Sequence, residues 1–153
     1  MNSEYLDKNK NINRGYRKLI VWQEAISLFV LVYEKVKTLK GVSFKVLAQV
    51  EDSVFSVHSN IADGYSRRSI KENINFNNYA IASLAENYSQ IFAFLEAKII
   101  DKKWFELYDG KHFSLENKLI AYNKSQIKIL NEKGDSIKVG GEHLCSLWIR
   151  AHI

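Results

Sequence analysis

The sequence predicts an all-α domain: an antiparallel up-and-down four-helix bundle whose fourth helix is extended or interrupted. Three observations carry that expectation. Proline is absent and only seven of the 153 residues are glycine, so little in the chain forces a helix to break. Apolar residues recur at helical spacing in four successive stretches, the mark of amphipathic helices. Short segments holding cap and turn residues separate those stretches, and short turns join antiparallel neighbours. The length is that of one domain, able to bury a core without a disulfide or a metal. Hydrophobic residues make up 46% and charged residues 25%, which excludes disorder along the whole chain.

The elements follow in order. Residues 1–16 hold Asn2, Asn9, Asn11 and Asn13 with Lys8, Lys10 and Arg14, and offer little to bury. They read as a flexible polar arm ahead of a bundle spanning 17–153. Leu19, Trp22, Ile26, Phe29, Tyr33 and Val36 then recur at alternating spacings of three and four, a stripe on one face of a first helix. Val30 and Val32 widen it, and Gly41 reads as the stop. Ser43 caps a second helix carrying Leu47, Val50, Val54, Val57 and Ile61, closed by Gly64. Ser69 with Glu72 three residues on has the capping-box arrangement. It opens a third helix through Phe76, Ala80, Ser83, Asn87, Ile91 and Phe94 to about Ile100.

Asp101 caps a fourth helix anchored by Trp104, Phe105 and Tyr108. Beyond Gly110 the pattern weakens, although Leu115, Leu119, Tyr122, Gln126 and Ile129 keep helical spacing. Gly134-Asp135 breaks the chain. A last helical segment runs from Glu142 to Ile153 after a hinge at Gly140-Gly141. Several faces are wider than a four-helix core needs, which points to self-association.

Composition also limits the chemistry. Cys145 is the single cysteine, so no intramolecular disulfide forms and a reduced, cytoplasmic setting is expected. No stretch approaches the roughly 18 apolar residues of a membrane span, and the polar start is not a signal peptide. Di-iron bundles need Glu three residues before His. None of His58, His112, His143 and His152 has it; only His112 has Asp109 there. His143 and Cys145 could supply two zinc ligands, but no matching pair exists. There is no phosphate-cradling glycine loop and no Gly-x-Ser-x-Gly. The spacing of helical toxin-type ribonucleases, an Arg followed four to six residues later by His, is absent too. No catalytic residue, metal or cofactor is expected.

The formal charge is +5, from 22 basic and 17 acidic residues, which is compatible with nucleic acid. Between helices two and three, Arg67, Arg68 and Lys71 adjoin the free N–H groups of a helix start. Such an end attracts anions, and Arg adds two-pronged hydrogen bonding to phosphate. A well-built turn, with the arginines stacked on Tyr65 or capping carbonyls, accounts for the same residues. A second basic group is Arg14, Arg17 and Lys18 beside Tyr16. If the first two helices are antiparallel, both groups lie at one end of the bundle. The lysines around the fourth helix alternate with acids and read as a solvated face.

The motifs resemble a known family. Leu19-Ile20-Val21-Trp22-Gln23-Glu24-Ala25 is similar to its opening motif. Ser59-Asn60-Ile61-Ala62-Asp63-Gly64, followed by Arg67 or Arg68, Ser69 and Glu72, is similar to its central one. Ser83-Leu84-Ala85-Glu86 is similar to its third-helix motif. Together, over about residues 17–108, they resemble the bacterial four-helix bundle proteins encoded in intervening sequences of large-subunit ribosomal RNA genes. The accessory variability determinant of diversity-generating retroelements is a structural relative of that family. The resemblance implies a homopentameric ring without catalytic residues. For the retroelement relative it implies binding of nucleic acid and of a reverse transcriptase. Asp63 stands where the family usually has Glu, and residues 109–138 look longer than the family's fourth helix, as an insertion or a distinct helix would.

The function expected is therefore non-enzymatic binding of nucleic acid, RNA ahead of DNA, by a basic oligomer through phosphates. Arg67, Arg68 and Lys71 are the first-choice contacts and Arg14, Arg17 and Lys18 the second. The alternative is a protein-interaction adaptor such as a reverse transcriptase accessory subunit; a ribonuclease ranks behind both.

Overall fold

The computed structural model describes residue 8 and residues 11–135. The segment Glu142–Ile153, its Gly140-Gly141 hinge, Cys145, and most of the polar arm lie outside the described residues. Within them the chain is helical, with no strand. A 3₁₀ helix, Ile12–Lys18, leads into four long α-helices: α1 (Ile20–Val36), α2 (Phe44–Ser66), α3 (Ile70–Glu96) and α4 (Lys102–Lys133). None of these helices is long and apolar enough to cross a membrane.

The caps show why the helices start where they do. Ser69 accepts from the Glu72 N–H at 3.3 Å and Asp101 from the Trp104 N–H at 2.8 Å, each satisfying a donor that a helix start leaves free. At the end of α3 the N–H of Ile99 returns to Phe94 O and that of Lys98 to Leu95 O. This Schellman closure puts Lys98 at φ 59°, a conformation that glycine adopts more cheaply. The fourth helix is extended, not interrupted. It runs through Gly110, which has nothing near its missing side chain, because Tyr108, His112, Leu115 and Leu119 on either side are buried. The chain turns at Gly134, φ 76°.

Each helix packs on the next, and α4 packs back on α1. The contacts pair Ser53 with Gln90 and Ser56 with Ser83 between α2 and α3. They pair Asn87 with Tyr108 and Leu84 with His112 between α3 and α4. Between α1 and α4 they pair Glu24 with Lys118 and Lys35 with Asp101. In every pair the numbering rises in one helix as it falls in the other.

The buried face of α1 differs from the expected stripe. Val21, Ala25, Leu28, Val32 and Val36 are buried, whereas Trp22 and Phe29 pack at the edge of the core and Tyr33 is exposed. Aliphatic side chains, with Ala25 and Val32 fully buried among them, hold the centre and let the helix axes approach; the larger rings flank the seam. Gly64 is likewise not a helix stop. It lies inside α2, where a Cβ would fall 2.8 Å from Phe76 Cβ and 3.2 Å from Asn73 O, so it is the close crossing of α2 over α3. The boundary drawn at residue 16 falls inside the 3₁₀ helix, whose Tyr16 packs against the core.

One polar chain runs through the middle. The Asn87 amide donates to Val50 O (3.2 Å) and Ser53 Oγ (3.0 Å), and its oxygen accepts from Tyr108 Oη (2.9 Å). Two predictions follow from the backbone at the helix ends and crossings. Gly64→Ala should cost about 1–3 kcal/mol by overpacking the crossing. Lys98→Gly should add about 1 kcal/mol by relieving the left-handed position. Urea unfolding monitored by circular dichroism checks both; an unchanged midpoint for either contradicts the geometry described.

Candidate nucleic-acid interface

The 3₁₀ helix is built to sit on the end of α2. Asn11 caps it, its side chain accepting from the Arg14 N–H at 3.0 Å. Gly15 then lies flat on Tyr65: a Cβ there would fall 2.1 Å from the phenol oxygen. The Tyr16 ring meets Trp22 edge-on at 5.2 Å and Tyr65 at 6.3 Å. Ser66 Oγ, which donates to Ala62 O at 2.9 Å, lies 3.5 Å from Asn13 O, and Gln23 Nε2 donates to Arg17 O at 2.8 Å. Arg14, Arg17 and Lys18 are thereby carried to the end of the molecule where α2 turns into α3. Lys18 and Arg14 are exposed. Arg17 donates to Lys8 O at 3.0 Å.

The three cations of the α2–α3 turn have different fates. Arg67 caps α2, its N–H reaching Gly64 O. Its guanidinium forks onto the Asp63 carboxylate, 3.1 Å on each side, faces Glu72 at 3.7 Å, and lies 4.6 Å over the Phe76 ring. Those contacts fit the structural reading of Arg67 as a turn-builder. Arg68 is exposed, and no described residue pairs with it. Lys71 is also exposed.

The start of α3 does attract an anion, and that anion is Asp135. Ser69 Oγ donates to its carboxylate at 2.9 Å and the Lys71 N–H at 3.2 Å. The Lys71 N–H first, then the Ser69 hydroxyl, hold the Asp135 carboxyl below the usual carboxylate range, with the Ile70 N–H and the Lys71 charge adding to it. The pairing of Asp63 with Arg67 is legible as an i,i+4 spacing. Asp135 is not legible, because it comes from 66 residues along the chain.

The remaining histidines and grooves serve other ends. His58 stands half-buried between the Phe29 and Phe55 rings, at 5.6 and 4.7 Å, and burial lowers its pKa. His112 is buried, its Nε2 2.9 Å from Leu84 O. The open groove beside it, between α3 and α4, is acidic: burial first, then the charge of and hydrogen bond to Asp109, and Glu116, raise the Tyr88 pKa.

Gly15→Ala tests the docking that unites the two basic groups. The added methyl should force the 3₁₀ helix off Tyr65, costing about 1–3 kcal/mol and altering the near-ultraviolet dichroism of Trp22 and Tyr65. An unchanged spectrum and thermal midpoint would mean that the 3₁₀ helix does not dock there.

A protein-family model described as 23S rRNA-intervening sequence protein matches residues 17–121. No curated protein matches the chain. The match spans well over half of the sequence and contains all three motifs, from Leu19 to Glu86, as well as the close crossing at Gly64. By that match the chain belongs to the 23S rRNA-intervening sequence protein family.

Proposed function

We propose that this protein is a non-enzymatic, self-associating nucleic-acid binder of the cytoplasm, taking RNA ahead of DNA, and that its four long helices form an antiparallel up-and-down bundle. Phosphates meet the end of that bundle where the 3₁₀ helix lies on α2. The observation that carries the reading is this docking, Gly15 on Tyr65 with Ser66 on Asn13, because it unites cations that are some fifty residues apart. Arg68, Lys71 and Lys18 are exposed there and supply the phosphate contacts, with Arg14 and Arg17 beside them. Arg67 acts through the shape of the turn it fixes. Such contacts give affinity without base readout. The family's link to ribosomal RNA genes supports RNA as the ligand.

Self-association is supported by two exposed aromatic faces. One lies on α1 and α2, with Tyr33 and Phe55 39% and 52% exposed; the other on α3 and α4, with Phe92 and Phe113 43% and 64% exposed. Since contacts run from α1 round to α4 and back, these faces lie on different sides of the molecule. Joining one to the other between copies is head-to-tail, which makes a ring such as a pentamer where the rotation from copy to copy closes. The same faces favour the second reading, an adaptor for a partner such as a reverse transcriptase, which predicts no RNA affinity for the protein alone.

Titrating a structured RNA against rising salt tests the first reading. Binding should be measurable at about 50 mM salt and fall steeply above it. Arg68→Ala with Lys71→Ala should lower the salt slope by about one to two. If low-salt binding is absent, or the double variant binds with an unaltered slope, the interface is misassigned.

A further inference from the structure

We propose that the last turns of α4 with the two residues after it, 123–135, form a strap that detaches while the rest of the helix stays packed, and that the closed strap blocks anion binding at the start of α3. The first half stands on packing alone; the second rests on the nucleic-acid reading above.

The packing of α4 changes character at Tyr122. Up to that point its buried side chains include Tyr108, Leu115, Leu119 and Tyr122; beyond it they are Asn123 and Gln126. Ile127 is 42% exposed, and Ile129 and Leu130 are only partly buried. Little apolar surface therefore holds these last turns down.

The polar seam beneath them is incomplete. Asn123 Nδ2 donates to Asn78 Oδ1 at 2.7 Å, and Asn77 Nδ2 to Asn73 Oδ1 at 2.9 Å. Among the described residues, Asn73 Nδ2, Asn77 Oδ1 and Asn123 Oδ1 are buried without a hydrogen-bond partner. The central polar chain around Asn87 has no such orphan among the described residues. An unmatched buried amide atom penalises the closed state, and opening returns it to water. The three orphans lie on the first turns of α3 and on the facing stretch of α4, so the penalty is local to the strap.

A clasp offsets it. Gly134, at φ 76°, turns the chain, and Asp135 then takes the Ser69 hydroxyl and the Lys71 N–H. These are the donors that a phosphate arriving beside Arg68 and Lys71 would need. The carboxylate and an external phosphate compete for one place. The family match ends at residue 121, so the strap lies just past it.

Hydrogen exchange on the full chain tests the strap. Asp135→Ala and Asp135→Asn should each speed exchange of amides 124–133 by about ten-fold while amides 104–119 stay within about two-fold. Unchanged exchange in both variants, or loosening of all of α4 together, overturns the strap. Titration with a short oligouridylate RNA at low salt then tests the block, and Asp135→Ala should bind about three-fold or more tightly. Faster exchange with unaltered RNA affinity overturns the block but not the strap. No RNA binding by either protein removes the nucleic-acid reading, and the exchange result still decides the strap by itself.

Discussion

The architecture depends on a single carboxamide. Asn87 is fully buried, and an amide taken out of water is costly unless its donors and its acceptor are engaged. Here they reach α2 through Val50 O and Ser53 Oγ and α4 through Tyr108 Oη. Sliding either neighbour by one turn would leave buried polar atoms orphaned, whereas valines and leucines along the same seam tolerate several registers. The hydrophobic effect holds the helices together, and Asn87 selects one alignment among those that bury similar area. That alignment brings Gly64 onto Asn73 and Phe76, which fixes the α2–α3 turn and with it the direction of Arg68 and Lys71.

Much of this was legible in the sequence where the cause is local. The caps at Ser69 and Asp101 and the break at Gly134 follow from neighbouring residues. The buried face of α1 was not legible in the same way. A stripe of Trp22, Phe29 and Tyr33 scores as the core because large apolar side chains dominate any count. Packing favours Ala25 and Val32 at the centre, since close axes need small side chains there. Gly64 misled for a related reason: glycine ends helices often enough that its use as a contact surface, defined only by the partner helix, has no local signature. At the interface the basic residues themselves were evident. What they touch was not, because Asp135 reaches the start of α3 from the far end of α4.

The net charge of +5 is less informative than its distribution. Lysines on α4 pair with acids: Lys118 with Glu24, Lys102 with Glu106, Lys128 with Glu132. Such exposed pairs contribute little to stability. Beside the α3–α4 groove, burial first and then Asp109 and Glu116 raise the Tyr88 pKa.

That end combines two opposed demands. A helix start with free N–H groups and neighbouring cations is favourable for an anion, and equally favourable for any carboxylate the chain can deliver. Asp63 and Glu72 already serve Arg67; Asp135 serves the α3 amides. The carboxylates stabilise the folded end by satisfying its donors, and in doing so they lower its affinity for anything external. The contacts differ in how firmly they are held. Arg67 and Asp63 sit four residues apart with a two-pronged bond, so the pair is kept together by its own helix. Asp135 depends on the last turns of α4 staying down over a seam with three unmatched amide atoms. Of the three carboxylates at this end, Asp135 alone comes from a distant element, so its loss would leave the turn that Arg67 maintains with Asp63 and Glu72 in place.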